Sequence, residues 1–204
     1  MKKEIWNIVL AAGLSTRMQG CHKLALDLDG ETILRYTVKK VLRNQADHTV
    51  VVLNQQFPLL VRELSDLPVS IVWNHVTSQG MSSSLKLGIE CLPSTCDAAM
   101  ILLADQPEIK IEVMNEILTL YQTSKQSLIV TSYLGKTRHP IIFGKPFFKD
   151  LMDLTGDEGA KSIIQSNRKH ALIHTVEEKA PEDIDTVEDY ISLLKRRKEI
   201  DIFG

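Results

Sequence analysis

The chain has only three cysteines, Cys21, Cys91 and Cys96, among 204 residues. An odd and sparse set makes no disulfide framework and suits a reducing compartment. Cys91 and Cys96 flank Pro93 with no histidine pair nearby, a spacing that argues against zinc. An excess of one charge is missing too: 24 Lys and Arg against 26 Asp and Glu leave a net −2. A general binder of nucleic acid or of membrane surfaces needs a basic field, so both classes are excluded. Any phosphate chemistry must come from a few placed cations. Long apolar runs are also lacking. The first, residues 5–12, is far short of the roughly twenty residues of a spanning helix. No secretory signal is evident, and the expectation is a soluble, cytoplasmic protein.

What the chain does contain is strand, loop and helix in alternation. Residues 5–10 and 98–103 are continuous apolar runs of strand length, as expected of strands buried on both faces. Residues 49–53, 69–73, 128–133 and 171–175 read as further strands, and 140–143 as a short extended piece. Residues 26–30 alternate and then turn at Asp29-Gly30. Ile33, Leu34, Thr37, Val38, Val41 and Leu42 recur at helical spacing, with Thr32 as N-cap. Residues 59–64, 81–91, 111–122, 147–151, 158–166 and 186–197 read as the other helices. The alternation predicts one α/β domain over residues 1–204 with a mainly parallel sheet. The run Lys195-Arg196-Arg197-Lys198 is expected to face solvent at a helix C-terminus. His170 and His174 fall on one face of a predicted strand, as surface residues without a third metal ligand.

In open α/β sheets, ligands bind beyond the C-terminal ends of the strands. After the first strand comes Leu10-Ala11-Ala12-Gly13-Leu14-Ser15-Thr16-Arg17-Met18, then Lys23. Small residues let the backbone approach a ligand, and successive N–H groups cradle phosphate oxygens. Arg17 offers a planar fork and Lys23 a movable point charge. Neither of the two commonest nucleotide fingerprints is present, so a plain turn with two surface cations is the alternative. After residues 98–103 comes Ala104-Asp105-Gln106-Pro107. A carboxylate there suits Mg²⁺, which takes one or two carboxylates and completes its shell with phosphate and water. Asp105 serving only the turn before Pro107 is the alternative. Asp185, in Asp183-Ile184-Asp185-Thr186, is a second carboxylate and equally a candidate N-cap for the last helix. Ser78-Gln79-Gly80-Met81-Ser82-Ser83-Ser84 offers polar groups at a helix start for a base or sugar, or is simply a helix start.

Leu10-Ala11-Ala12-Gly13-x-Ser15-x-Arg17-Met18 with Lys23 resembles the signature of the MobA-like nucleotidyltransferases. Gln79-Gly80-Met81-Ser82-x-Ser84, Ala104-Asp105-Gln106-Pro107, Arg138-His139-Pro140, Gly156-Asp157-x-Gly159-Ala160 and Asp183-Ile184-Asp185-Thr186 follow in order. Together they resemble one branch, the molybdenum cofactor cytidylyltransferases and their xanthine-dehydrogenase accessory relatives. The resemblance implies a three-layer Rossmann-like fold of the nucleotide-diphospho-sugar transferase type. It implies Mg²⁺-dependent transfer of CMP from CTP to the molybdopterin cofactor, with pyrophosphate released. The implied partners are the nucleotide, the pterin and a molybdenum hydroxylase apoenzyme such as xanthine dehydrogenase, with no nucleic acid and no membrane. The Ala-Ala-Gly loop resembles the CTP-using branch rather than the Gly-Gly form of the GTP-using one.

Carried over by the resemblance, Leu10, Ala11, Ala12 and Gly13 hold the triphosphate through backbone N–H groups, and Arg17 and Lys23 neutralise it. Gly80 and Ser82 lie near base and ribose. Asp105 and Asp185 share Mg²⁺, and Arg17, Lys23 and Asp105 form the catalytic set. His139, Gly156, Asp157 and Gly159 lie towards the pterin, with a structural role for His139 beside Pro140 as the alternative. Gln19 stands where the family has Gly, and four residues rather than three separate Met18 from Lys23. Either Gly20 takes over that role or Lys23 follows a different path. Asp27 adds a negative charge near the loop, tolerable to a triphosphate only if it faces solvent. Two other readings stand beside this one: a nucleotidyltransferase for a sugar phosphate or other small acceptor, and a non-catalytic carrier of the molybdenum cofactor.

Overall fold

The first strand, β1 (Ile5–Ala11), sets the layers. Ile5, Val9 and Ala11 join one hydrophobic cluster, while Ile8 and Leu10 join a second on the opposite face of the sheet. That is the two-residue period of a strand covered on both sides. A computed structural model describes residues 2–18, 20–77, 80–156 and 159–203, the last five as backbone only. After β1 come a hairpin of β2 (Asp27–Leu28) and β3 (Glu31–Thr32), then α1 (Ile33–Val41), β4 (His48–Asn54), β5 (Ser70–Asn74) and α2 (Met81–Glu90). β6 (Ala98–Leu103), α3 (Ile111–Thr123), β7 (Leu128–Tyr133), β8 (Lys136–Gly144) and α4 (Phe148–Met152) follow. α5 (Lys161–Ser166), β9 (Leu172–Val176) and α6 (Val187–Phe203) close the order.

Among the described residues, seven strands form one sheet in the order β5-β4-β1-β6-β8-β7-β9. Only β8 runs against its neighbours β6 and β7. Residues of α1, α3 and α6, such as Val38, Ile117 and Leu193, cover one face, and Leu85, Leu151 and Ile163 of α2, α4 and α5 cover the other. This is the expected three-layer α/β fold. The chain moves outward from β1 through β4 to β5, then returns to β6 on the other side of β1. The C-terminal ends of β1 and β6 therefore meet at the reversal of strand order, the place where such sheets bind ligands. Ala104 N donates to Leu10 O at 3.1 Å, fastening the two exits together. α2 reaches close to β1 because residue 88 is Gly: a Cβ there would lie 2.5 Å from Ile8 Cγ2.

Several elements differ from the sequence reading, each for a local reason. Residues 59–64 form a 3₁₀ helix, Pro58–Leu64, with Pro58 in its first turn. The extended piece at 140–143 belongs to nine-residue β8, whose first half is exposed and polar and so lacks an apolar signature. The expected helix at 158–166 is seen as α5, and Glu158 lies outside the described residues. His170 sits in a 3₁₀ turn and His174 on β9, so the two do not share a strand. The basic run lies within α6 rather than at its end. Arg196 pairs with Glu108 at 2.9 Å and Glu182 at 2.8 Å, and Arg197 bonds Asp29 and Tyr36, so half the run is engaged with protein. Thr32 does cap α1, its Oγ1 accepting from Arg35 N at 3.2 Å. No described helix is long and apolar enough to cross a membrane. All three cysteines are free thiols, Cys96 buried and the others exposed.

Candidate active site

The segment after β1 folds as consecutive turns. Met18 N donates to Ser15 O at 3.0 Å and Cys21 N to Met18 O at 3.1 Å. Ser15 has φ +53° and Gly20 φ +94°. The second value is readily reached only without a Cβ, so the turn at this position requires Gly20. Gln19 lies outside the described residues. Lys23 N donates to Ser15 Oγ at 3.2 Å, which folds the longer loop back on itself. Asp27 is exposed in the hairpin, its charge turned to solvent.

Sequence reasoning missed His22, which props this loop. Its Nδ1 accepts from Leu24 N at 3.3 Å, so the ring proton sits on Nε2, which donates to Gly13 O at 3.2 Å. The ring packs on Phe57 with centroids 4.1 Å apart, and burial lowers its pKa and favours the neutral form. No spacing rule marks such a residue, because its partners are backbone groups and a distant aromatic.

Lys23 bridges the ends of two elements. Its Nζ lies 2.5 Å from Asp105 Oδ2, just beyond β6, and 2.8 Å from Asp185 Oδ1, just before α6. Arg17 Nη1 reaches the other oxygen of Asp185 at 2.9 Å. The Lys23 and Asp105 side chains are only 10% and 19% exposed, so that pair is largely desolvated, while Asp185 and Arg17 meet solvent at 38% and 67%. Burial opposes the ammonium, but Asp105 and then Asp185 outweigh it and raise the Lys23 pKa. Burial pushes the Asp105 carboxyl up, while Lys23 pulls it back. The hydrogen bond from Lys23 is the main cause that holds Asp185 below the usual carboxylate range.

Asp185 is not the N-cap of α6. Thr186 takes that role: its Oγ1 accepts from Asp189 N at 3.1 Å, and Asp189 Oδ2 accepts from the N–H groups of Asp185 and Thr186. This is a capping box, and it frees the Asp185 carboxylate for the cations. The segment is also docked on the β6 exit. Ile184 N donates to Asp105 O at 3.0 Å, and Gln106 Nε2 to Asp183 Oδ1 at 2.6 Å.

Two cavities open here. One, about 400 Å³, is lined by Leu10, Ala12, Gly13, Arg17, Lys23, Gly80, Asp105 and Asp185, together with Ser84 of the motif at residues 79–84 and with Thr77, which sequence reasoning had not singled out. Gly80 begins α2 with φ +79° and ψ −168°, a conformation open to glycine and not to other residues. Ala11 and Ser82 line neither cavity. Ala11 is buried in the core at 2% exposure, and Ser82 is buried with its N–H donating to Gly156 O at 3.3 Å. The other cavity, about 590 Å³, is mostly apolar, with His139, Gly159, Gln106 and Asp183 in its wall and Lys136, Arg138, Lys161 and Arg168 around it. Gly156 is outside its lining, and Asp157 lies outside the described residues. Gly159 has φ +55°, and a Cβ there would come within 3.3 Å of Met81 Sδ. Leu10, Met81 and Leu103 line both cavities and form the seam between them.

Could the carboxylates hold a divalent metal? Asp105 Oδ1 is buried with no hydrogen-bond partner among the described residues. The pair already brackets one cation, the Lys23 ammonium. Among the described residues no cluster of three or more His, Cys, Asp or Glu suits a metal held by protein alone. Two carboxylates fit a hard cation that fills its shell with phosphate and water.

The MobA-like NTP transferase domain family matches residues 7–172. The chain belongs to that family. It is 33% identical over 193 residues to the purine catabolism protein PucB of Bacillus subtilis, covering 90% of this chain and 92% of PucB. It is 26% identical over 197 residues to the nicotine blue oxidoreductase of Paenarthrobacter nicotinovorans, covering 93% and 96% of the two chains. Its fold is similar to that of Rv0371c from Mycobacterium tuberculosis, solved in complex with manganese. The TM-score there is 0.81 at 23% identity, over 95% of this chain and 99% of the other. The MobA-like fold thus carries a nucleotidyltransferase of the MobA and PucB type, and the cluster around Lys23 lies within the matched span except for Asp185.

Proposed function

We propose that residues 1–204 act as one Mg²⁺-dependent cytidylyltransferase domain that moves CMP from CTP to the molybdopterin cofactor and releases pyrophosphate. The observation that carries this reading is the seam of Leu10, Met81 and Leu103, which sets a charged cavity beside an apolar one. A reaction joining two substrates needs such adjacent sites. Ala12 and Gly13 line the charged side, where their backbone can approach phosphate, and Arg17 and Lys23 supply positive charge. Gly80 and Ser84, which line the same cavity, are assigned to the base and ribose. Asp105 and Asp185 would hold Mg²⁺, which when bound offsets negative charge on the triphosphate. The apolar cavity takes the flat pterin, and Arg138 and Lys136 at its rim attract the acceptor phosphate. An oxygen of that phosphate attacks the α-phosphorus in line, its new P–O bond forms, and the α–β bridging bond breaks with pyrophosphate taking the electron pair. A phosphate nucleophile is already ionised at neutral pH, so the site needs no strong general base. Positioning and charge do most of the work.

The name of PucB supports service in purine catabolism, and the motif resemblance is the ground for proposing a molybdenum hydroxylase apoenzyme as client and the cytoplasm as location. The test is pyrophosphate release with Mg²⁺, molybdopterin and CTP, GTP or ATP. Release with CTP, and far less with the others, is expected. Turnover with a sugar phosphate alone, or pterin binding without turnover, overturns the reading in favour of the sugar-phosphate or carrier alternative. The oxidoreductase name of one relative adds a redox rival, which oxidation of a reduced nicotinamide without pyrophosphate release would favour.

A further inference from the structure

The Lys23 ammonium sits between the two carboxylates proposed to share the metal, 2.5 Å from Asp105 and 2.8 Å from Asp185. We infer that Lys23 is a built-in counter-ion that shuts the carboxylate pair to a divalent cation until a nucleotide draws it away, so that metal and nucleotide bind as a unit. This rests on the metal reading above and goes beyond it.

The argument is one of charge and burial. Lys23, Arg17, Asp105 and Asp185 balance to zero, with Lys23 10% and Asp105 19% exposed on the inner side and Asp185 and Arg17 open to solvent on the outer. A divalent cation entering alone must break both Lys23 contacts or leave two uncompensated charges beside the desolvated Lys23–Asp105 pair, which is costly. A triphosphate removes the conflict, because its oxygens offer Lys23 another partner and balance the added charge. Lysine suits this task, being a compact charge on a flexible stem. The backbones that carry the carboxylates are fixed: the Asp105 carbonyl accepts from Ile184 N, and Asp185 N donates to Asp189 in the capping box. The lysine is the movable member. A residue needed for turnover would therefore weaken metal binding when nucleotide is absent.

The test measures Mn²⁺ alone binding to the full chain by electron paramagnetic resonance, in wild type, K23M and K23Q. K23M removes the charge. K23Q also keeps a donor for Asp105 and carries the test if K23M does not fold. Both variants are expected to bind Mn²⁺ about tenfold or more tighter than wild type, and their melting temperatures to rise with Mn²⁺ where that of wild type does not. K23Q binding Mn²⁺ no tighter than wild type overturns the counter-ion role. Adding D105N to K23Q is expected to abolish the gain. A gain that survives D105N overturns the metal assignment itself, a different failure from the first.

Discussion

The two cavities share three wall residues yet are chemically opposite. The smaller, about 400 Å³, gathers Arg17, Lys23, Asp105 and Asp185 into one ion cluster. The larger, about 590 Å³, has Ile101, Val130, Ile141 and Phe143 in its wall, a neutral imidazole, and cations around it. In the first, charge is already paired and its Lys23–Asp105 half is desolvated, so a ligand must exchange partners to enter. In the second, most of the wall is apolar, and a ligand gains by displacing water and meeting rim charge. One sheet supplies both because its edge at the strand reversal has two sides. Loops after β1 and β6 are polar, while α2, α5 and β8 present their apolar flanks.

The strongest break in this comparison is Asp105→Ala. Loss of one strong electrostatic group typically costs about 10²–10³ in rate. Turnover is expected to fall by that much while pterin binding, followed by fluorescence, stays near wild type. Equal loss of both would show that the cavities are not separable. Near-normal turnover would remove Asp105 from the reaction.

The sequence allowed such a target to be named because the two exits are simple. Residues 98–103 are apolar throughout and the strand found there has the same bounds, while residues 5–10, apolar but for Asn7, fall within β1. The loops after buried strands follow from that placement, so Arg17, Lys23 and Asp105 were accessible before the fold was known. Asp185 was ambiguous. Both the capping role and the metal role suit an Asp before a helix, and only the bonds of Thr186 and Asp189 decide between them. His22 carried no signal, since it acts through a backbone carbonyl and a backbone N–H, and the motif holding Ser82 and Ser84 did not tell which of the two faces the cavity. The exposed half of β8 was invisible because its alternation is between polar residues, and its partner β7 supplies the pairing.

The next effect separates the cavities by pH. Burial, with Arg138 second, lowers the His139 pKa to about 4 from 6.5. An unfolded chain takes up this proton below pH 6.5, whereas the folded ring resists until about 4. Stability is therefore expected to fall as pH drops through that window, by on the order of 3 kcal/mol, and to gain nothing from this group above it. Urea unfolding of wild type and His139→Gln across pH 4–7.5 checks the sign. Parallel curves would show that His139 is not held neutral. Asp185 adds loss at lower pH, since its carboxyl is held below the usual range and its stabilisation disappears as that lower pKa is crossed.

Arg138→Ala sharpens the contrast from the acceptor side. A hydrogen bond to a charged group is worth about 1.5–3 kcal/mol, so the KM for the phosphate-bearing acceptor is expected to rise about tenfold. The KM for CTP should stay unchanged, because Arg138 lines only the larger cavity. A rise confined to CTP would reverse the assignment of the two cavities.

The smallest effect belongs to the joint behind the ion cluster. Thr186→Ala removes the α6 cap and one partner of Asp189, but leaves the Asp185 carboxylate itself untouched. Loss of a cap typically costs about 1 kcal/mol, readable as a lower urea midpoint. If the cap also fixes where Asp185 stands, the variant needs several-fold more Mg²⁺ for half-maximal turnover, while its KM for the acceptor is unchanged. Thr186→Ser restores the hydroxyl and should restore both properties. Stability lost with an unaltered Mg²⁺ requirement would mean that Lys23 and Arg17, not the helix start, hold Asp185 in place, and the rigid member of the cluster would then be the cations rather than the carboxylates.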